Sequence, residues 1–281
     1  MPGLLEATAN HLRVAKRLAP RRGASFGERF GRLDDRLVFV VGSPRSGTTF
    51  LAGAIGSLPG FVDLGEVAPV KAAVPELAAR PPQQAAVRLR RILALSRRAG
   101  LVGSVRAVEQ TPEMAFLVRA VPLAFPDARV VHIVRDGRDV VCSLLEKPWL
   151  RQDQQRADDA GVAYGAYARF WVEPERTAEF ETASDARRAA WVWRSYLTAA
   201  RQGETLELRY EDMVADPARV GSELASHLES PAEPLVAALR NAHAGSIGRY
   251  ERELTAEQLA DVEDEAGPLL RDLGYVSSAS A

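Results

Sequence analysis

The segment VFVVGSPRSGTTFLAGAIG, residues 38–56, joins a strand, a glycine turn and a helix in this chain of 281 residues. It begins with a continuous apolar run, which is typical of a parallel strand that is covered on both faces. Small residues follow and form the turn, and a stretch rich in alanine and leucine then predicts a helix. In this arrangement, backbone N–H groups at the start of the helix can hold an anion.

The spacing of Gly42 and Gly47 matches the phosphate-binding pattern G-x-x-x-x-G-K-[ST], but Thr48 stands where that pattern has lysine. The glycines still let the backbone approach an anion, whereas the lysine that follows the β- and γ-phosphates of ATP is missing. Arg45 supplies a positive charge, which we expect to stabilise charge on the 5′ side of a nucleotide. The alternative is a turn in which the glycines serve packing alone.

A second motif, VVHIVRDGRDVVCSLLE, places Arg135 at the end of another buried strand and Ser143 on the helix that follows. Arginine binds phosphate through two parallel hydrogen bonds from its planar guanidinium. The pair therefore predicts a second anion pocket at the same edge of the sheet. We interpret Arg138 as a turn charge and Asp139 as a helix cap, and His132 as a core residue.

The composition, with 47% hydrophobic and 26% charged residues, is that of an ordinary globular protein. The formal net charge of -1 gives no global reason to expect nucleic acid or an anionic membrane as a partner. The single cysteine, Cys142, excludes an internal disulfide and fits a reducing compartment. Because no apolar run reaches the ~18 residues that span a bilayer, and the first residues lack a secretory signal, we expect a cytoplasmic protein.

Strands that alternate with amphipathic helices predict one α/β domain with a mainly parallel sheet covered on both sides. The expected strands are RLVFVVG, ARVVHIVRD and TLELRY, and FVDLGEVAP is expected to be a short extended segment. Residues 1–34 are interpreted as an N-terminal helix and linker, 35–276 as the domain, and 277–281 as a disordered tail. Residues 148–188 lack clear periodicity and predict a lid or insertion over a site, or a solvated connection without a special role.

GSPRSGTTFL and VRDGRDVVCS, in this order, resemble the two nucleotide-binding motifs of the sulfotransferases that use 3′-phosphoadenosine 5′-phosphosulfate (PAPS). The similarity extends through LELRYEDMVADP and SIGRYERELT, so that it covers most of residues 37–275. It implies a P-loop-type, three-layer α/β/α fold. It also implies an enzyme that moves the sulfuryl group of PAPS to a hydroxyl and leaves PAP and a sulfate ester. In motif, the chain is closest to tyrosylprotein and carbohydrate sulfotransferase-like bacterial members.

The resemblance implies that Arg135 and Ser143 bind the 3′-phosphate of PAPS, and that Ser246 and Arg249 lie in a late loop over the nucleotide. The residues that would bind the 5′-phosphosulfate are Ser43, Pro44, Arg45, Ser46, Gly47, Thr48 and Thr49. A sulfuryl group carries less charge than a terminal phosphate, so neither a metal nor the missing lysine is required. Arg45 and the loop amides would stabilise the departing 5′-phosphate.

The acceptor hydroxyl needs a base, and Glu66 is the candidate. In the sulfotransferases that resemble tyrosylprotein sulfotransferase, a Gly-Glu pair after the loop helix supplies this base, and Gly65-Glu66 matches it. The alternative is a surface glutamate without a role. VEQTPEMAF resembles the Glu-Lys-Thr-Pro segment of the family with Gln110 in place of the lysine. Glu109 is therefore a second candidate, for acceptor positioning or as the base.

The expected partner is a small-molecule or carbohydrate hydroxyl acceptor. Tyr164, Tyr167 and Phe170 are the expected walls of its pocket, since aromatic rings suit a sugar, a lipid headgroup or a polycyclic compound equally well. Two other functions remain. A P-loop kinase would require magnesium-dependent ATP turnover, and the missing lysine counts against it. A non-catalytic nucleotide-binding protein would need neither Arg45 nor Glu66.

Overall fold

In the computed structural model, the structure describes residues 35–99, 105–150 and 169–276. A sheet with the strand order β2-β3-β1-β4-β5 forms the centre. The strands are β1 (Val38–Val41), β2 (Phe61–Gly65), β3 (Arg106–Glu109), β4 (Arg129–Val134) and β5 (Leu206–Arg209). Each neighbouring pair is parallel. The carboxyl ends of all these strands therefore lie at one edge of the sheet.

The helices follow the strands and cover both faces of the sheet. They are α1 (Thr48–Gly56), α2 (Ala68–Ala78), α3 (Pro82–Ala99), α4 (Val121–Ala124), α5 (Gly137–Leu145), α6 (Thr177–Thr182), α7 (Asp185–Ala200), α8 (Tyr210–Ala215), α9 (Pro217–Leu228), α10 (Ala232–Leu239), α11 (Tyr250–Glu253) and α12 (Ala256–Asp272). Among the described residues, no helix is long and apolar enough to cross a membrane.

The central strand β1 is buried on both faces, because its alternate side chains enter two different cores. Phe39 and Val41 belong to the core that also contains residues of α2, α3, α5, α7 and α12, and Val38 and Val40 belong to the core that contains residues of α1, α9 and α10. Burial of an apolar side chain of this size stabilises the fold by about 1.5–3 kcal/mol. A sheet between two helical layers is the predicted α/β/α fold, which is thereby confirmed.

The predicted strands appear as β1, β4 and β5, and the predicted extended segment is β2. The sequence reading missed β3, which is short and carries a charge at each end. The side chain of Arg106 donates hydrogen bonds to the carbonyls of Arg36 and Leu228 and lies over the ring of Phe61. These partners come from other parts of the chain, so the four-residue segment did not look like a buried strand.

Part of the proposed lid, residues 148–188, has more regular structure than its sequence indicated. Residues 177–182 form α6, and α7 begins at Asp185, where the Ser184 side chain caps it. Trp171 and Phe180 are buried in the larger core and their rings contact edge to face at 5.3 Å. Tyr164 and Tyr167 lie outside the described residues, as do 1–34 and 277–281. The lid function stays a prediction.

Candidate active site

The glycine loop passes from β1 into α1 with little space around its backbone. A Cβ at Gly42 would lie 2.5 Å from the carbonyl oxygen of Ile133, and a Cβ at Gly47 would lie 2.9 Å from the ring of Tyr210. Gly47 also has a φ of 100° at the N-cap of α1. Within the part of the chain that is described, no side chain caps this helix. The N–H of Ser46 donates to the carbonyl of Ser43 at 3.1 Å, whereas the first N–H groups of α1 have no side-chain cap among the described residues and so remain available to an anion.

Arg45 connects the two predicted motifs. Its Nε donates a hydrogen bond of 2.9 Å to Oγ of Ser143, which is 98 residues away in the sequence. Its carbonyl oxygen accepts a hydrogen bond of 3.2 Å from Nη1 of Arg135. The side chain of Arg45 thus extends from the glycine loop to the residue that was assigned to the second anion pocket.

Arg135 is buried at the end of β4, and its hydrogen bonds go mainly to carbonyl groups. Nη1 binds the carbonyl of Arg45 and Nη2 the carbonyl of Ser246, while the ring of Tyr210 lies 5.2 Å from the guanidinium carbon. The nearest described carboxylate oxygen, in Asp139, is 3.9 Å from Nη2. Carbonyl groups satisfy N–H donors without cancelling the positive charge, so the pocket remains cationic.

Two donors of this pocket are buried without a hydrogen-bond partner among the described residues. They are Oγ of Ser46, in the glycine loop, and Nε of Arg135. Buried polar groups in folded proteins are nearly always paired. Donors that remain unpaired beside a cationic site are the arrangement expected where an anion binds.

Asp139 holds the late segment, the loop that contains Ser246 and Arg249, over this pocket. Its carboxylate accepts hydrogen bonds from the N–H groups of Gly248, at 2.8 Å, and Tyr250, at 3.1 Å. The interpretation of Asp139 as a helix cap is therefore wrong. Asp136 caps α5 instead, through the N–H of Arg138 at 2.9 Å. The sequence-based prediction placed the cap one helical turn too late. The true partners of Asp139 lie in a loop 109 residues further along the chain, and local sequence does not reveal them.

Arg138 contacts this late segment, and Arg249 is a part of it. The guanidinium carbon of Arg138 lies 3.9 Å from the ring centre of Tyr250. Arg249 forms ion pairs of 2.6 Å with Glu146, at the end of α5, and with Glu253. Ser246 contributes its carbonyl to Arg135, and its hydroxyl donates to the carbonyl of His243. Both late residues predicted from the sequence therefore lie at the rim of the cationic pocket or beside it.

A different cluster occupies the carboxyl ends of β2 and β3. Gly65 has a φ of 71°, a left-handed conformation that favours glycine, and turns the chain so that Glu66 follows at the edge of the sheet. The side chain of Glu66 is 26% exposed, and its Oε2 accepts a hydrogen bond of 2.6 Å from Nζ of Lys71. Lys71 lies on α2, is 1% exposed, and also approaches Oε1 of Glu113 at 3.7 Å.

Glu109 lies deeper than Glu66, at the end of β3, and is 1% exposed. Its Oε1 accepts hydrogen bonds from the N–H of Thr111, at 3.0 Å, and from the hydroxyl of the same residue. Burial raises the pKa of Glu109 to about 8, and the charge of Glu66 contributes in the same direction. The hydroxyl of Thr111 accepts a hydrogen bond of 3.1 Å from the N–H of Val67. Glu109 and Thr111 thus support the loop that carries Glu66.

Phe170 lies on the same side as the carboxylates. Its ring contacts that of Phe116 at 5.1 Å, and Phe116 in turn contacts Tyr196 at 4.9 Å. The hydroxyl of Tyr196 donates a hydrogen bond of 3.4 Å to Oε1 of Glu113. A continuous chain of contacts therefore connects the described part of the aromatic segment with the cluster around Glu66.

The interpretation of His132 as a core residue agrees with the structure, and Cys142 is buried as well. His132 is fully buried within β4, and its Nδ1 lies 3.2 Å from Oε2 of Glu207. Burial raises the pKa of the Cys142 thiol to about 11. A thiol with so high a pKa is mainly protonated at neutral pH and is therefore a poor nucleophile.

A family model described as "Sulfotransferase family" matches residues 90–234, about half of the chain. The chain belongs to the sulfotransferase family. The match includes Arg135 and Ser143 and begins after the glycine loop. A search of curated proteins found no match.

The fold of this sulfotransferase also resembles solved structures. One is a sulfotransferase domain from the curacin biosynthetic pathway, with a TM-score of 0.52 and 15% identity over 83% of this chain and 96% of that chain. Another is mouse sulfotransferase SULT7A1 complexed with PAP, with a TM-score of 0.51 and 15% identity over 89% and 90% of the two chains. A third is sulfotransferase STF9 from Mycobacterium avium, with a TM-score of 0.50 and 15% identity over 95% and 83%. At these identities the likeness shows the fold alone.

Sequence reasoning missed two residues of the candidate site, Lys71 and Glu113, which contact each other beside Glu66. The signal for Lys71 was a single charge within the apolar stretch APVKAAV. A charge at a position that faces the core is rare unless it has a partner. That signal does not name the partner, which the packing of α2 against the turn at residues 112–117 supplies.

Proposed function

We propose that this sulfotransferase transfers the sulfuryl group of PAPS to a hydroxyl of a small molecule or carbohydrate, with Glu66 as the general base. The observation that carries the proposal is the contact of Arg45 with Arg135 and Ser143 at the carboxyl ends of β1 and β4. Open parallel sheets bind ligands at the carboxyl edge, at the point where the strand order reverses. Here that point is β1, which has β3 on one side and β4 on the other. The mouse structure named above is a complex with PAP, which agrees with the proposed nucleotide.

The cationic pocket suits the two anionic ends of PAPS, which supplies an activated sulfuryl group when it is bound. Arg135 and Ser143 would hold the 3′-phosphate, with Ser246 and Arg249 in the loop above it. Residues 43–49 and the amino end of α1 would hold the 5′-phosphosulfate. The unpaired donors on Ser46 and Arg135 support this assignment, because an anion oxygen would remove a desolvation cost of about 1–3 kcal/mol for each.

Arg45 takes the role that a lysine and a metal share in ATP-hydrolysing enzymes. It is exposed in the loop that precedes α1, and its hydrogen bond to Ser143 leaves the positive charge intact. The charge and the N–H groups at the start of α1 stabilise the negative charge that develops on the 5′-phosphate. Only the 5′-phosphate of the departing PAP would lie at this loop, so no lysine is needed to gather a chain of three phosphates.

Glu66 suits the role of base better than Glu109. Glu66 is 26% exposed and paired with the Lys71 ammonium, which favours its ionised form. Glu109 is 1% exposed, and its pKa of about 8 leaves it mainly protonated at neutral pH. A buried and protonated carboxyl cannot accept the proton of an acceptor, so Glu109 acts as support for the loop. Phe170 contributes an apolar wall on the same side.

Calorimetry of the purified protein with PAP, and separately with ATP and magnesium, tests the nucleotide. We expect PAP to bind without a metal and labelled PAPS to pass its sulfuryl group to an acceptor from a panel of phenols and carbohydrates. The Arg135→Met variant should lose PAP binding in the same titration. Magnesium-dependent ATP turnover with no PAP binding would contradict the proposal and favour a kinase.

A further inference from the structure

Lys71 is a charged residue on an otherwise apolar face of α2. Its side chain is 1% exposed, and its neighbours on this face, Val70 and Val74, are fully buried. Removing an ammonium group from water costs several kcal/mol unless a carboxylate and hydrogen bonds compensate for it. Lys71 is compensated by Glu66 at 2.6 Å and by Glu113 at 3.7 Å. The charge is therefore built into the core beside the candidate base.

The groups that face this ammonium come from four elements. Glu66 precedes α2, Glu113 lies in the turn at residues 112–117, Glu109 ends β3, and Tyr196 projects from α7 to Glu113. Two carboxyl groups, those of Glu66 and Glu113, thus share one ammonium, while burial raises the pKa of Glu109 to about 8. Without Lys71 these two carboxylates would repel each other in a poorly solvated place, and protonation of one would relieve the repulsion.

We propose that Lys71 is a positioning residue for the sulfuryl transfer, which holds Glu66 ionised and in one orientation from the core side of the site. The inference rests on the proposed function of Glu66 as the base. Lys71 acts through Glu66, because its own amino group is buried and does not reach the surface of the site. Glu113 competes with Glu66 for the ammonium and therefore limits how far Lys71 stabilises the ionised form of Glu66.

The titration of Glu66 in the whole protein tests this directly, without any acceptor. Carboxyl carbons of 13C-labelled glutamate are followed by NMR between pH 4 and pH 9, and the Glu66 signal is identified by its loss in Glu66→Gln. We expect Lys71→Met to move the ionisation of Glu66 to higher pH by about one unit, a tenfold change in its ionisation constant. Lys71→Arg should restore most of the shift, and Lys147→Met serves as the matched lysine control.

Glu113→Gln gives a second test that does not depend on the folding of Lys71→Met. Removal of the competing carboxylate strengthens the pairing of the ammonium with Glu66, so the ionisation of Glu66 should move to lower pH. An unchanged Glu66 titration in Glu113→Gln, or in a folded Lys71→Met protein, would overturn the inference. Thermal unfolding and PAP binding report whether each variant is folded.

Kinetics then separate this inference from the proposed function. With phenol as probe acceptor, whose pKa of about 10 keeps it un-ionised near neutral pH, the acidic limb of the kcat/KM profile should move to higher pH in Lys71→Met, so that activity recovers in alkaline buffer. A purely structural lysine would lower activity equally at every pH, which would contradict the role. If Glu66→Gln keeps full activity while Lys71→Met still shifts the Glu66 titration, the base assignment fails and the electrostatic coupling stands.

Discussion

The carboxyl edge of the sheet has an arginine half and a glutamate half. Arg45 and Arg135 follow β1 and β4, whereas Glu66 and Glu109 follow β2 and β3. This division follows from the strand order, since β1 has β3 on one side and β4 on the other. Topology therefore keeps the groups suited to an anionic donor apart from the groups suited to remove a proton, although both lie at one edge.

The two halves also differ in how their charges are compensated. The arginines donate mainly to carbonyl and hydroxyl oxygens, which leaves their positive charge in place. On the other side, Lys71 neutralises part of the carboxylate charge, and burial keeps Glu109 mainly protonated. The arginine half thus remains cationic as a whole, while the glutamate half presents one partly exposed carboxylate. Variants in the two halves should consequently separate nucleotide binding from turnover.

Glu66→Gln should have the largest effect, and only on turnover. Loss of a general base lowers the rate by roughly 10²–10⁴-fold, while the arginine half is unchanged and PAP should bind as before. The measurement is sulfuryl transfer from labelled PAPS, together with calorimetry of PAP. Glu76→Gln, an exposed glutamate on α2, is the matched control. Turnover near that of the unmodified protein would remove Glu66 from the mechanism.

Arg135→Met should act on the opposite half and weaken the binding of PAP. Truncation of one member of a buried charge pair costs about 2–5 kcal/mol, so the affinity should fall by about 30-fold or more. Calorimetry with PAP measures the change, and the exposed Arg219→Met is the control. Equal PAP affinity in both variants would show that the two motifs do not form a nucleotide pocket.

Glu109→Gln should reveal the protonated carboxyl through the pH dependence of stability. The pKa of Glu109 is raised from 4.5 to about 8 in the folded protein. Its contribution to the free energy of unfolding is therefore complete below pH 4.5 and is lost as the pH rises through 8. Between these values the unmodified protein should lose about 1.4 kcal/mol per pH unit relative to the variant. Urea unfolding at pH 5, 6, 7 and 8 measures this slope. A difference in unfolding free energy between the two proteins that stays the same at every pH would contradict the prediction.

Ser143→Ala should have the smallest effect and sharpen the role of Arg45. The hydroxyl accepts the hydrogen bond from Arg45 Nε, and a hydrogen bond to a charged group contributes about 1.5–3 kcal/mol. We expect PAP affinity to fall by about tenfold, because Arg135 remains. Ser222→Ala, on the exposed face of α9, is the control. An affinity equal to that of the control would place Ser143 outside the 3′-phosphate pocket.

Much of the fold and of the arginine half was accessible from local sequence patterns. The apolar run of β1, the spacing of Gly42 and Gly47, and the interval between Arg135 and Ser143 are each visible within a short window. The capping box of α12, in which the side chains of Thr255 and Gln258 bond to each other's backbone N–H groups, is a local pattern of the same kind. Such features depend on neighbours along the chain, which the sequence states directly.

Contacts between distant segments were not accessible in this way. Asp139 was taken for a helix cap because its partners, Gly248 and Tyr250, follow 109 and 111 residues later. The strand β3 was missed because the charge of Arg106 is satisfied by the carbonyls of Arg36 and Leu228, which are 70 and 122 residues away. Lys71 looked like an isolated charge, since the carboxylate of Glu113 reaches it only through packing.

The amino-acid sequence alone therefore determined the parallel α/β architecture and the glycine turn after β1, because strand, helix and turn preferences act over a few residues, and its two motifs were enough to indicate the family. The tertiary structure alone decided that Arg45 meets Ser143 and that Lys71 lies buried between two carboxylates. The physical reason is that the energy of a buried charge depends on which groups surround it. Strand order and helix packing choose those groups, and both are properties of the whole folded chain.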